Sequence, residues 1–240
     1  DADVSHVRDA LIGSAFGSAG ERCMAVSVAV CVGKETADSV RDAVSEAAQK
    51  LNVGPYTDGD ADFGPLSSEI HMNKVVSYID KGVAEGADLV VDGRNLNLQG
   101  YEKGYFVGPT VFDRVTSDMT IYKEEIFGPV LGIVRCSSYS DAVSLVDNHE
   151  LGNGAALFTN DGGVSRHFVE KTQIGMVGVN VPIPVPVAYH SFGGWKRSLF
   201  GDHHMHGPEG IRFYTKLKTA TIAWPAGANT GPEFSIPVLS

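Results

Sequence analysis

Segments with a helical hydrophobic period alternate with short β-rich runs along this chain. Apolar residues recur at the spacing of one helix face in residues 36–51 and 72–79, and residues 140–148 and 162–172 also have a helical pattern, with Ser140 as a candidate N-cap. Runs that are typical of buried strands lie at residues 25–32, 89–91, 130–134, 155–159 and 176–181. This alternation predicts an α/β fold with a mostly parallel open sheet flanked by helices.

Composition limits the classes of partner. The 240 residues are 43% hydrophobic, which is enough for one large core or two small ones. A net charge of −10 disfavours binding to nucleic acid or to anionic membranes. No apolar stretch approaches the roughly 18 residues of a spanning helix, and the first residues lack the pattern of a secretory signal. We therefore expect a cytoplasmic protein, or a mitochondrial matrix protein if the source is eukaryotic.

The three cysteines are expected to be free thiols in a reducing compartment. They are odd in number and lack the spacing of a metal site. Cys31 lies in an apolar run and is predicted to be core, and Cys136 at a strand end is predicted to be inert. The histidines at 203, 204 and 206 have no second ligand group at metal spacing, so a solvated loop is the preferred interpretation and no metal site is predicted.

Cys23 is the first candidate for chemistry. Small residues precede it and Arg22 adjoins it, and a neighbouring cation favours the thiolate. An ordinary thiol with a pKa of about 8.5 is only about 3% ionised at pH 7, so a nucleophile needs such help. A buried structural cysteine is the alternative, because free cysteine is among the most buried residue types.

A second segment changes the interpretation of Cys23. The sequence Glu-Glu-Ile-Phe-Gly-Pro-Val at residues 124–130, together with Gly-x-x-Cys at residues 20–23, resembles the paired signature of the aldehyde dehydrogenase superfamily. Other motifs of that superfamily follow in its order: Asp-Phe-Gly-Pro-Leu at 62–66, Gly-Tyr-Phe-Val-Gly-Pro-Thr at 104–110, Gly-Asn-Gly at 152–154, Gly-Val-Asn at 178–180 and Phe-Gly-Gly-Trp-Lys at 192–196. The resemblance therefore covers most of the chain.

Two segments resemble the CoA-acylating methylmalonate-semialdehyde branch of the superfamily. They are Arg-Cys-Met-Ala at residues 22–25 and the strand-and-proline run at residues 178–186. The resemblance implies an NAD-dependent enzyme in which the Cys23 thiolate attacks a malonate-type semialdehyde. It further implies a thioacyl enzyme that is released to coenzyme A, giving propionyl-CoA or acetyl-CoA with loss of CO2.

The resemblance also implies roles for particular side chains. Glu125 would hold the nicotinamide-side ribose, and Phe127 would pack near the nicotinamide. If the segment is extended, Glu124 faces the opposite way from Glu125, which favours a structural role for it. Arg22 would anchor the substrate carboxylate, or else be a surface or structural charge. Phe192 would form an aromatic wall of the substrate pocket. Phe127 and Phe192 could also be ordinary core residues.

The domain prediction has three parts. Residues 1–208 would form the catalytic domain, residues 209–224 a C-terminal oligomerisation strand, and residues 225–240 an extended tail. The strand prediction uses the alternation at residues 211–222, for which a surface strand is the alternative. The resemblance implies a homodimer or homotetramer of the intact enzyme.

The NAD-binding domain is predicted to be absent from this chain. No Gly-x-Gly-x-x-Gly follows a strand and opens a helix. We therefore expect the isolated fragment to be a poor enzyme with weak NAD affinity. Two alternatives stay open: a non-catalytic binding or scaffold remnant of the same fold, and a cysteine acyltransferase or thioesterase that does not use NAD.

Overall fold

The computed structural model describes residues 1–222 and 224. The helices are α1 (Val4–Phe16), α2 (Lys34–Ala48), α3 (Glu69–Ala84), α4 (Thr120–Lys123), α5 (Tyr139–Asn148), α6 (Gly162–Lys171) and α7 (Gly207–Tyr214). The strands are β1 (Val28–Val32), β2 (Asp88–Val91), β3 (Thr110–Asp113), β4 (Val130–Cys136), β5 (Leu151–Gly152), β6 (Gly154–Leu157), β7 (Met176–Val179) and β8 (Trp195–Lys196). Within the described residues, none of the helices is both long and apolar enough to cross a membrane.

The main sheet has the strand order β1-β4-β3-β2. Strands β1 and β3 both run parallel to β4, and β2 pairs antiparallel with β3 at one edge. A second parallel pair joins β6 to β7, and the short strands β5 and β8 pair antiparallel. The predicted α/β fold with mostly parallel pairing is confirmed, although the strands are divided among three sheets.

Helices cover both faces of the main sheet, as β3 shows. Successive side chains of a strand point to opposite faces. Phe112 is fully buried and meets α3, where a side chain on Gly82 would lie 2.9 Å from the Phe112 ring. Its neighbour Asp113 points the other way, toward Arg41 of α2, at 3.8 Å. The strand is therefore packed between α3 on one face and α2 on the other.

Several element boundaries differ from the sequence-based predictions. Strand β1 begins at Val28 rather than at residue 25. The N-cap of α5 is Ser138, whose hydroxyl accepts a hydrogen bond from the Asp141 N–H at 3.1 Å, so the prediction of Ser140 was wrong. Ser140 lies inside the helix. The capping geometry places the hydroxyl three residues before the N–H that it satisfies, and this relationship favours Ser138.

Among the elements that were not predicted from the sequence, α1 and β3 share one feature. Each buries polar side chains among its apolar ones: Ser14 in α1, and Thr110 and Asp113 in β3. Buried polar residues interrupt the apolar periodicity on which such predictions rest. Their burial is possible because they are paired, as in the hydrogen bond from the Ser14 hydroxyl to the Ala10 carbonyl at 2.5 Å.

The C-terminal strand prediction needs correction. Residues 207–214 form helix α7, so the predicted boundary at residue 208 falls inside a helix and residues 209–214 are not a strand. Pro208 in the first turn favours a helix start, and Arg212 pairs with Glu209 one turn away at 2.8 Å. Residues 215–222 lie in no strand of this chain, and their pairing with another subunit stays a prediction. The predicted tail at residues 225–240 lies outside the described residues.

Candidate functional site

Cys23 lies in a tight turn that joins α1 to β1. A 3₁₀ segment (Gly17–Gly20) follows α1, and the Ala25 N–H then donates to the Arg22 carbonyl at 3.0 Å. This hydrogen bond closes a turn with Cys23 and Met24 at its centre. The Cys23 residue is exposed. The local fold therefore presents the thiol to solvent at the start of the main sheet.

The other two thiols are in different surroundings. Cys31 is buried in β1, as predicted, and burial raises the pKa of its thiol to about 12. Burial also raises the pKa of the Cys136 thiol at the end of β4. Because the thiolate is the reactive form, both residues are poor nucleophiles at neutral pH. Cys23 is thus the exposed member of the three free thiols.

The two motifs of the sequence signature touch at a pair of glycines. Gly20 has a φ of +71°, and a side chain placed there would overlap the carbonyl oxygen of Gly128. A side chain on Gly128 would in turn overlap Val75 of α3. A small cleft lies at this contact, and it is lined by residues 20, 22 and 25–27 from one motif and by residues 125–128 and 130 from the other.

Two candidate cofactor residues, Glu125 and Phe127, line this cleft and are exposed. Their neighbour Glu124 turns away and accepts a hydrogen bond from the Tyr78 hydroxyl at 2.5 Å. That hydrogen bond, together with burial, raises the pKa of the Tyr78 phenol. The side chains of Glu124 and Glu125 therefore point in different directions, as expected from the sequence. Glu124 braces the loop against α3, and Glu125 is left for the cleft.

Arg22 lines the same cleft and also braces α1. Its Nη2 donates to the Gly13 carbonyl at 2.5 Å, one of the carbonyls left without partners in the last turn of that helix. A cation at a helix C-terminus is stabilising, which favours the structural alternative for this residue. Its buried Nε has no hydrogen-bond partner within the described residues. A guanidinium has five N–H donors, so Arg22 still has N–H groups for a ligand after it has bonded to α1.

The segment that carries Phe192 reaches the cysteine turn through Asn153. The Asn153 side-chain amide lies 3.4 Å from the Cys23 carbonyl oxygen. A side chain on Gly194 would lie 3.3 Å from the Asn153 Cα. Phe192, two residues earlier, is half-buried and stacks on the His206 ring at 4.6 Å. One face of the Phe192 ring is therefore covered by His206, and its role as an aromatic wall stays a prediction.

The histidine cluster at residues 203–206 makes contacts within the protein. His203 pairs with Glu209 of α7 at 2.7 Å, and His206 stacks on Phe192. Within residues 1–222 and 224, no group of three or more histidine, cysteine or acidic side chains is placed to hold a metal ion.

Two further residues, Glu21 and His71, lie at the junction of the motifs and were missed in the sequence. His71 Nε2 is 2.6 Å from the Phe127 carbonyl oxygen and 3.2 Å from Glu21 Oε1. Glu21 precedes Cys23 by two residues, whereas His71 is about 50 residues away in α3. No local pattern could link them, because only the packing of α3 beside the cysteine turn brings them together.

Strained backbone is concentrated in the motif segments. Six non-glycine residues have positive φ in the described part of the chain. Three of them, Phe127, Asn180 and Lys196, lie in the motifs, and Ser18 and Ala19 lie directly before the motif that begins at Gly20. Such a conformation costs about 1–3 kcal/mol per residue and persists where the surrounding structure enforces it. Clusters of this kind are typical of functional sites.

Curated proteins of known name are similar in sequence to this chain. The chain is 54% identical over 240 residues to a malonate-semialdehyde dehydrogenase of Pseudomonas aeruginosa, a match that covers 100% of the chain and 48% of the relative. It is 46% identical over 224 residues to malonate-semialdehyde dehydrogenase 2 of Geobacillus kaustophilus, with 93% of the chain and 46% of the relative covered. The chain therefore spans about half the length of these curated relatives.

Solved structures of similar proteins have the same fold. A methylmalonate-semialdehyde dehydrogenase from Oceanimonas doudoroffii superposes with a TM-score of 0.91 at 54% identity, covering 95% of this chain and 46% of that one. A Mycobacterium tuberculosis aldehyde dehydrogenase in complex with NAD+ superposes with a TM-score of 0.82 at 32% identity, covering 90% and 43%. The model of the aldehyde dehydrogenase family matches residues 1–220. The chain therefore belongs to the aldehyde dehydrogenase family.

Proposed function

We propose that this chain is the cysteine-bearing half of an NAD-dependent, CoA-acylating dehydrogenase of malonate or methylmalonate semialdehyde. The observation that carries the proposal is the contact between Gly20 and Gly128. It joins the turn of the exposed Cys23 to the loop of Glu125. The neighbours of Cys23 at residues 22 and 25 line one cleft with Glu125, although Cys23 itself does not line it. The named relatives support the substrate class.

Cys23 would act as the nucleophile. Its thiolate would add to the aldehyde carbon, and oxidation of the resulting thiohemiacetal would leave an acyl group on the cysteine sulfur. A thioester exchanges readily with a second thiol, so transfer to coenzyme A would regenerate the Cys23 thiolate. The acyl product would be acetyl-CoA or propionyl-CoA, with loss of CO2 from the malonate-type carboxylate.

Glu125 and Phe127 fit the nicotinamide end of NAD. A carboxylate can accept hydrogen bonds from two ribose hydroxyls, and Phe127, with 37% of its surface exposed, offers a ring for packing. When bound, NAD supplies the hydride acceptor. We propose that the rest of the cofactor site belongs to another part of the natural protein, and that this chain alone has little activity.

Arg22 and Phe192 are the proposed substrate contacts. A guanidinium can hold a carboxylate through two parallel N–H bonds, and malonate-type semialdehydes carry one. Arg22 lies on the cleft and next to the nucleophile. Phe192 would limit the pocket on the side of Asn153.

A homodimer or homotetramer of the complete enzyme also stays a prediction.

The test begins with thiol reactivity. In the complete natural protein, iodoacetamide at pH 7 should label Cys23 at least tenfold faster than Cys31 or Cys136, as measured by peptide mass spectrometry. Slower or equal labelling of Cys23 would favour the non-catalytic alternative. The same preparation should form NADH and acetyl-CoA from malonate semialdehyde, NAD and coenzyme A, and the Cys23→Ala variant should form neither. Thioester hydrolysis without NADH would instead indicate the acyltransferase or thioesterase alternative.

A further inference from the structure

His71 bridges the two halves of the candidate site. Its Nε2 atom lies 2.6 Å from the Phe127 carbonyl oxygen and 3.2 Å from Glu21 Oε1. The Phe127 carbonyl oxygen is an acceptor, so Nε2 carries the proton and donates it there, with the Glu21 carboxylate close by. The imidazole also meets the Phe127 ring edge-on, with centroids 6.3 Å apart.

The bridge is anchored at both ends. The side chains of His71 and Glu21 are each only 17% exposed. Glu21 Oε1 accepts hydrogen bonds from the Ser67 N–H at 3.2 Å and the Ser67 hydroxyl at 3.0 Å. His71 is held by its own helix, where its N–H donates to the Ser68 cap at 3.2 Å. The carboxylate therefore sits at the N-terminus of α3, where the helix dipole favours negative charge.

The Phe127 backbone needs such support. Its φ of +59° is unfavourable for a residue with a side chain, and the hydrogen bond from His71 ends on the carbonyl of that same residue. The bond therefore restrains the peptide group that sets the direction of the Phe127 ring. Glu125, two residues earlier, lies on the same loop and depends on the same restraint.

We propose that His71 is a positioning residue for the cofactor side of the site. It holds the loop of Glu125 and Phe127 in its strained conformation and, through Glu21, ties that loop to the turn that carries Cys23. This inference rests on the proposed function, because only the use of NAD gives the loop a task. His71 itself contacts neither substrate nor cofactor in this role.

The position of the donor distinguishes this role from simple packing. In His71→Gln the amide nitrogen can occupy the place of Nε2, whereas in His71→Asn the amide ends near the place of Nδ1. His71→Leu removes the donor altogether. Losing a neutral hydrogen bond corresponds to about a three- to tenfold effect. We therefore expect KM for NAD to rise about three- to tenfold in the Asn and Leu variants and to stay within about twofold in the Gln variant.

The experiment is steady-state kinetics on the complete natural protein with NAD and semialdehyde varied separately. KM for the semialdehyde should change less than about twofold in all three variants. His167→Leu is the matched control, because His167 is exposed and bonds only Tyr139, at 3.0 Å, among the described residues. Equal KM values for NAD in the Gln and Asn variants would overturn the positioning role, as would a parallel rise in both KM values.

The two proposals can fail separately. A wild-type protein that does not reduce NAD overturns the proposed function and this role with it. A wild-type protein that reduces NAD, with variants that lose only thermal stability, leaves the proposed function in place and overturns the role of His71. If His71→Leu does not fold, the KM values of the Gln and Asn variants can still be compared, because both side chains are polar and similar in size.

Discussion

The backbone of Gly20 lies directly against the carbonyl of Gly128, with no room for a side chain on the Gly20 side. Gly20 belongs to the turn of Cys23, and Gly128 ends the loop of Glu125. Their sequence separation is more than 100 residues. This contact sets how far the thiol stands from the candidate cofactor loop, so both the stability and the geometry of the site depend on it.

Gly20→Ala should destabilise the protein strongly. The positive φ of Gly20 costs a residue with a Cβ about 1–2 kcal/mol, and the overlap with the Gly128 and Ala15 carbonyls adds about 1–3 kcal/mol. We expect the free energy of unfolding in urea to fall by about 2–5 kcal/mol. Gly13→Ala in α1 is the control, because beyond its own helix backbone and chain neighbours no atom lies within 4 Å of the added carbon, and alanine favours a helix. If Gly20→Ala lowers the free energy of unfolding no more than Gly13→Ala does, the close contact between Gly20 and Gly128 is contradicted.

The pair formed by Asp113 and Arg135 predicts a second large effect. Two bonds of 2.9 and 2.7 Å join the guanidinium to a carboxylate whose side chain is only 3% exposed. Arg135→Met removes this partner of the Asp113 carboxylate. Within the described residues, the side-chain cation that then remains near Asp113 is Arg41, 3.8 Å away. The free energy of unfolding should fall by about 3 kcal/mol.

A surface pair gives the control for Arg135. Arg114 and Asp88 pair at 2.9 Å with side chains that are 65% and 58% exposed. Arg114→Met should therefore change the free energy of unfolding by less than about 1 kcal/mol. Similar losses in the two variants, measured by urea titration at pH 7, would show that burial does not govern the Asp113 pair.

Acid should weaken the protein through Asp38. Hydrogen bonds from Lys34 and then from Arg135 lower the pKa of the Asp38 carboxyl from 3.8 to about 2. A carboxyl whose pKa is lower in the folded state contributes stability above its unfolded pKa, and this contribution is lost as pH falls through the folded value. The stability difference between wild type and Asp38→Asn should therefore shrink from about pH 4 to about pH 2. Urea midpoints measured across this range would contradict the assignment if the difference stayed constant.

Substitution of the adjacent residues Glu125 and Glu124 should have different effects, on the KM for NAD in the first case and on thermal stability in the second. Glu125→Gln removes the charge proposed for the ribose hydroxyls, and a charge-assisted bond of about 1.5–3 kcal/mol corresponds to a rise in KM for NAD of about ten- to hundredfold. Glu124→Gln weakens the bond from Tyr78 and should lower thermal stability while KM for NAD stays within about twofold. Kinetics and melting curves of both variants check the assignment. If Glu124→Gln raises KM for NAD more than Glu125→Gln does, the roles of the two residues are the reverse of those proposed.

Local sequence patterns predicted the elements more reliably than their ends. The helices at residues 34–48 and 69–84 and strand β7 follow from hydrophobic spacing, because one face of each is buried. Strands β4 and β6 follow from short apolar runs. Strand β3 was missed because its polar residues are buried and paired. The end of α7 was taken for a strand because residues 211–214 begin the alternating run that continues to residue 222. The cap at Ser138 depends on a hydrogen bond that composition does not reveal.

The sequence by itself determined the α/β class, the family and the identity of Cys23 as the candidate nucleophile, since these rest on residues that are near one another or in a characteristic order. Only the tertiary structure decided which groups meet: Gly20 against Gly128, Arg22 against the end of α1, and His71 between Glu21 and Phe127. These contacts join residues up to about 100 positions apart. They form because α3 and the loop of Glu125 pack beside the cysteine turn, and no local pattern carries that information.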